Sequence, residues 1–263
     1  ELLAGPIFSR ETATASRQLR HYLIRSGYVA ALFVLMYTAG QAVFGWQQVR
    51  NIGDIAHFGS LVFGIFSLVQ LVLVLFFALL FSAGSVAQEK DRRTLVLLLV
   101  TDLRDHELVL GKLCSSLLLV LVLIGTSAPV FFLIQLLGGI SWQQIVWMLG
   151  LCVAVALAAG SWGTLVAFWR EKTFQTLAIS VLGVVAYLGL VEAALVIWEQ
   201  SVWLTALNPF RALLLTHDPF SSTGSSVIQA SVTAMTLIGV ALSVLTIVCL
   251  RLWNPSRANF VQP

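Results

Sequence analysis

Apolar positions fall into six long runs, at residues 27–46, 58–87, 113–137, 142–169, 173–198 and 227–253. Short segments holding most of the charge separate them. Crossing the hydrocarbon core of a bilayer takes about 20 mostly apolar residues, because roughly 30 Å must be covered at about 1.5 Å per residue. Each run meets that length, so the pattern predicts six transmembrane helices and an all-α membrane protein. Trp46, Trp142, Trp169, Trp198 and Trp253 fall at or near the ends of the runs, where an interfacial aromatic belt places them. Within the fourth run, small residues recur four apart, as Ala156, Gly160 and Thr164 and again as Ala159 and Gly163. That spacing lets helices approach closely. Pro129 is expected to kink the third helix, because it removes one backbone hydrogen bond and crowds the preceding turn.

The segment before the first run follows a different pattern. On a helix, Arg10, Arg17, Arg20, His21 and Arg25 share one arc, and Phe8, Ala15, Leu19, Tyr22 and Leu23 share the opposite one. Residues 1–26 therefore read as an amphipathic helix lying in the membrane interface. Residues 27–253 form the six-span domain, and 254–263 a short tail. The chain opens at Glu1 without a Met, as expected of a trimmed segment of a longer protein.

Composition agrees with the pattern. Of the 263 residues, 59% are hydrophobic and 10% charged, against about 25% charged in soluble domains. Placement of the charges sets orientation. Thirteen of the 15 Lys and Arg residues lie on one side of the predicted bundle: four before the first span, five in the segment after the second, two after the fourth and two after the sixth. Only Arg50 and Arg211 lie on the other side. The bias places both termini in the cytoplasm, in a cell inner (plasma) membrane. Cys114, Cys152 and Cys249 sit inside apolar runs with no metal-ligand spacing, and read as small apolar residues.

Two connecting segments carry information about function. The first, 88–112, begins with the charged Glu89, Lys90, Asp91, Arg92 and Arg93. An apolar run at 95–100 follows, too short to span. Asp102 is a candidate N-cap, with Asp105 and Glu107 complementing the positive end of the helix that follows. Gly111 and Lys112 precede the third span. A short cytoplasmic helix over 101–107, tied to spans 2 and 3, is the expected product.

The residues Glu89, Lys90, Thr94, Leu95, Leu98, Leu99, Thr101, Leu103, Glu107, Val109, Gly111 and Lys112 resemble the signature of ABC-2 type transporter permeases, the membrane-spanning subunits of ABC exporters. Arg93 and Asp102 depart from it, standing where Gly and Pro are usual. The opening Gly5, Pro6, Ile7, Phe8, Ser9, Arg10 and Glu11, with Tyr28 further on, and the six-span plan also resemble that family. The resemblance implies that the segment after span 2 forms a coupling helix docking on a separate ATPase subunit. ATPase-coupling roles then fall to Glu89, Thr94, Thr101, Asp102, Leu103, Arg104, Asp105, Glu107, Gly111 and Lys112. It also implies a second permease chain, identical or not, completing a dimeric pathway.

The second segment, 199–226, holds Val202, Trp203, Leu204, Leu207, Phe210 and Leu213 and is too apolar for a solvated linker. Asn208 followed by Pro209 fits an N-cap with Pro at the first helical position. Two short re-entrant outer helices, split near Asn208, are expected, with 221–226 as a flexible link to span 6. Similar outer helices occur in the permease family.

Gly111-Lys112 lacks the earlier Gly and the following Ser or Thr of a Walker A loop. No cofactor is therefore assigned to this chain, and ATP and Mg are expected on the partner ATPase. No metal site is assigned. Partners are the ATPase subunit, the second permease chain and membrane lipid, with no nucleic acid. Glu192 is the one acidic residue well inside a predicted span. It reads either as a snorkelling or paired carboxylate or, with Asn208 and Pro209, as part of a substrate or gating site. Gln70, Gln135 and Gln175 read as helix-packing hydrogen bonders. Three other classes stay open: an ion-coupled secondary carrier, a membrane-embedded enzyme and a non-transporting regulatory membrane subunit.

Overall fold

A computed structural model describes residues 19–44, 52–91, 105–170, 172–198, 202–215 and 222–253. Every element among them is a helix, and no strand occurs among the described residues. In chain order these are α1 (Leu19–Phe44), α2 (Ile52–Asp91), α3 (Asp105–Gln135), α4 (Trp142–Trp169), α5 (Thr173–Ile197), α6 (Val202–Leu207), α7 (Pro209–Leu215) and α8 (Ser222–Trp253). Five of them, α2, α3, α4, α5 and α8, are long and apolar enough to cross a membrane. The chain is thus a multi-pass α-helical membrane protein. Exposed Trp142, Trp169, Trp198 and Trp203 sit at helix ends, where amphipathic rings favour the interface.

Helix ends depart from the ends of the apolar runs. At 40 residues, α2 reaches about 60 Å at about 1.5 Å per residue, well beyond the roughly 30 Å of hydrocarbon. Its last turn carries Glu89, Lys90 and Asp91 out of the apolar layer. Likewise α3 starts at Asp105, eight residues before the apolar run, with Asp105 and Glu107 in its first turn, where acidic side chains complement the helix dipole. Asp105 and Glu107 are therefore the base of a long helix that continues to Gln135, without a break before span 3. No break separates an interfacial helix from the first span either: α1 runs from Leu19 through the expected boundary at 26. Residues 222–226, read from sequence as a flexible link, are the first turn of α8. The break at Asn208 between α6 and α7 matches the sequence reading. The amphipathic segment 1–18 and the tail 254–263 lie outside the described residues.

Packing centres on α4. Its N-terminus is set by a capping box, in which Ser141 and Gln144 bond each other's backbone N–H groups. Its small residues then admit α2 and α8. Ser82 Oγ on α2 donates to Gly160 O at 2.6 Å, and Ser161 and Ser243 join α4 to α8 through a 2.9 Å hydroxyl contact. At Gly163, a Cβ would lie 3.0 Å from Leu79 O and 3.2 Å from Ala83 N, so a larger residue there would press on the backbone of α2. The main core gathers α2, α3, α4 and α8, with Phe63 edge-on to Phe131 at 5.9 Å. The helix of α3 continues through Pro129. A separate apolar layer at the charged end of the bundle joins Val86, Leu108, Val109, Ala167, Phe168 and Leu250.

Candidate functional site

Just beyond that apolar layer, the last turn of α2 meets three other helices through three consecutive side chains. Glu89 Oε1 pairs with Lys112 Nζ of α3 at 2.5 Å, with side-chain exposures of 22% and 6%. Lys90 Nζ donates to Phe168 O at 2.6 Å and to Arg170 O at 3.0 Å, the carbonyls that end α4. Asp91 accepts a hydrogen bond from Thr173 Oγ1 in the first turn of α5. A lysine at a helix C-terminus satisfies carbonyls with no partner inside their helix and complements the negative end of its dipole. Arg170 completes the corner by lying 4.0 Å over the Trp169 ring, a cation–π contact.

The residues assigned to coupling thus divide. Glu89, Asp105, Glu107, Gly111 and Lys112 are placed on the facing ends of α2 and α3, with Gly111 and Lys112 buried. Thr94, Thr101, Asp102, Leu103 and Arg104 lie outside the described residues. The Glu89–Lys112 pair was not readable from the sequence, although both residues were singled out. Lys90 as the cap of α4 was missed entirely, since nothing in a single sequence brings it to position 168.

A second polar cluster lies where α5 meets α6 and α7. Asn208, 5% exposed, caps α7: its Oδ1 accepts from Phe210 N at 3.1 Å and Arg211 N at 3.4 Å. Its Nδ2 donates to Glu192 Oε2 at 3.0 Å. Arg211 engages the same carboxylate from the other side, with Nε 3.1 Å from Oε1 and 3.0 Å from Oε2 and Nη2 also on Oε1. The Glu192 hydrogen bond and charge hold the Arg211 guanidinium further toward its charged form. Both side chains of the pair are 45% exposed. Pro209 is buried beside Asn208, and Tyr187 Oη donates to Leu207 O at 2.8 Å. The structure therefore unites Glu192, Asn208 and Pro209 and adds Arg211. One signal for Arg211 was present: it is the single Lys or Arg of 199–226, opposite the single acid of span 5.

Among the described residues, no group of three or more His, Cys, Asp or Glu could hold a metal ion. Cys152 is buried and Cys249 half-buried in the bundle, and Cys114 is exposed. No protein-family model, curated protein or solved structure matches this chain.

Proposed function

We propose that this chain is the permease subunit of an ABC-2 type exporter, working with a second permease chain and a separate ATPase that binds ATP and Mg. The sequence signature across 89–112 suggests the family, and one structural observation carries the mechanism. The two helices flanking residues 92–104 are joined by the Glu89–Lys112 pair, and through Lys90 and Asp91 they are tied to α4 and α5. Those contacts make one joint of the facing ends of α2, α3, α4 and α5. Force applied there by a nucleotide-driven partner would reach four membrane helices at once.

In this reading α1 supplies the sixth span, α6 and α7 are the short re-entrant outer helices, and both termini face the cytoplasm of the plasma membrane. Glu192 supports the permease over an ion-coupled carrier, since its carboxylate is occupied by Arg211 and Asn208.

Leu103 is the one apolar residue of 101–107 and is taken as the anchor for a partner groove. Burying such a side chain contributes about 1.5–3 kcal/mol, against about 0–1 kcal/mol for an exposed ion pair of the kind Arg104 could make. The test is to purify Leu103→Asp and Arg104→Ala with a candidate ATP-binding cassette subunit, and to compare co-elution and ATPase stimulation. Leu103→Asp is expected to lose both and Arg104→Ala to keep most. Wild-type assembly and stimulation by Leu103→Asp would remove the coupling assignment.

A further inference from the structure

A cleft of about 400 Å³ lies between α4, α5 and α8, within the range of about 300–1,000 Å³ typical of small-molecule sites. Its walls come from residues 155–162 of α4, 183–190 of α5 and 235–242 of α8. Each window is two turns, about 10 Å of helix at about 1.5 Å per residue, and each lies near the middle of its helix. The cleft therefore sits at mid-membrane depth. Pro209 brings one end of it to α7.

Only two side chains with hydrogen-bond donors line the cleft, and both are already engaged. Trp162 Nε1 donates to Ser180 O at 3.1 Å, and Tyr187 Oη donates to Leu207 O. The same bonds hold the two rings in place as walls. Gly183 fixes the approach of α5 at this point, because a Cβ there would run into the Trp162 ring. The lining side chains offer an occupant no free donor and no charge, and as acceptors only the Tyr187 hydroxyl oxygen and the weak Met235 sulfur. Water needs two to four polar partners to remain in a cavity, which this lining does not supply, and apolar walls without an apolar occupant forfeit dispersion contacts. The solvent at this depth is hydrocarbon. The wall helix α5 is the least buried of the five long apolar helices, and its Leu182, Val185 and Leu190 face outward, so the surrounding lipid reaches the mouth.

We propose that this cleft seats one acyl chain of a membrane phospholipid. The inference rests on depth, lining and satisfied polar groups, and holds whether or not the chain couples to an ATPase.

The test uses the full chain in phosphatidylcholine vesicles containing a phosphatidylcholine with a diazirine near the end of one acyl chain. After irradiation, adducts are mapped by peptide mass spectrometry. Adducts are expected on Trp162, Tyr187 and Met235, which line the cleft, as well as on Leu237 and Val240, which face outward on α8. Ala158→Phe fills the cleft from α4 and is expected to lower the first set about tenfold while leaving the second set unchanged. If Ala158→Phe does not fold, Leu190→Trp obstructs the mouth from an exposed position and is expected to do the same. Cleft labelling equal to wild type in a folded variant would overturn the proposal. So would labelling of Trp162 by a free diazirine fatty acid but not by the phospholipid.

Discussion

Glu89 and Lys112 form a 2.5 Å ion pair across the ends of α2 and α3, in surroundings that leave Lys112 only 6% exposed. Removing one partner of such a pair strands a desolvated charge, which costs about 3–5 kcal/mol when burial is complete and less here because Glu89 keeps some exposure. Lys112→Met and Glu89→Gln are each expected to destabilise the protein, and the double variant by less than their sum. A double-mutant cycle on SDS-induced unfolding should give a coupling of about 0.5–3 kcal/mol. Strict additivity would show that the two charges act independently.

The contact of Lys90 with Phe168 O and Arg170 O makes it the cap of α4. Lys90→Met keeps the aliphatic stem and removes the donor. Loss of a charge at a helix C-terminus costs about 0.3–1 kcal/mol when exposed and up to about 2 kcal/mol when partly buried. The backbone bond from Arg170 N to Val166 O should then fray. Hydrogen exchange at the Arg170 amide is expected to quicken in Lys90→Met and to remain slow in Lys90→Arg.

The helix content was legible because hydropathy reports which residues need the bilayer. Hydropathy does not report where a helix stops. The backbone ladder of α2 continues through Gln88–Asp91 because Gln, Glu and Lys are sound helix formers in water, and that of α3 begins at Asp105, where an acidic side chain complements the helix dipole. Of the segment 88–112, residues 88–91 and 105–112 therefore belong to α2 and α3. The break at Asn208 was legible for a local reason: an Asn-Pro step carries its own capping chemistry. Pairings over distance were not. Lys90 on Phe168 and Glu89 on Lys112 depend on how helices stack, and one sequence contains no signal for that; for Arg211 on Glu192 it held only the hint of a lone cation opposite a lone acid.

Gly163 and Gly150 share α4 and separate packing from propensity. A Cβ at Gly163 would press on backbone atoms of α2, whereas one at Gly150 meets nothing within 4 Å. Gly150→Ala is expected to be neutral or to stabilise by roughly 0.5–1 kcal/mol through backbone entropy. Gly163→Ala should destabilise by about 1–3 kcal/mol, because helix backbone has to move to admit the methyl group. Thermal unfolding of the two variants side by side checks the sign of each. Equal effects would mean that α2 does not approach α4 as closely as described.

At the α5–α7 corner, three residues share one network but carry unequal weight. Asn208 is 5% exposed and does two jobs, capping α7 through Oδ1 and holding Glu192 through Nδ2. Truncating an N-cap costs about 0.5–2 kcal/mol, so Asn208→Ala is expected to lower the unfolding temperature measurably. Glu192 and Arg211 meet where both side chains are 45% exposed, and pairs in such surroundings are screened by water and salt. Glu192→Gln keeps an oxygen that can accept from Asn208 and from Arg211, so the variant should insert and fold with little loss of stability. If the cluster is only structural, Glu192→Gln will keep the wild-type stimulation of the partner ATPase by substrate. If it gates transport, Glu192→Gln will fold normally yet lose the stimulation of the partner ATPase by substrate, and Arg211→Ala will share that defect. The ranking Asn208→Ala above Arg211→Ala and Glu192→Gln in lost stability distinguishes this network from a buried ion pair, in which either charge change would be the most damaging of the three.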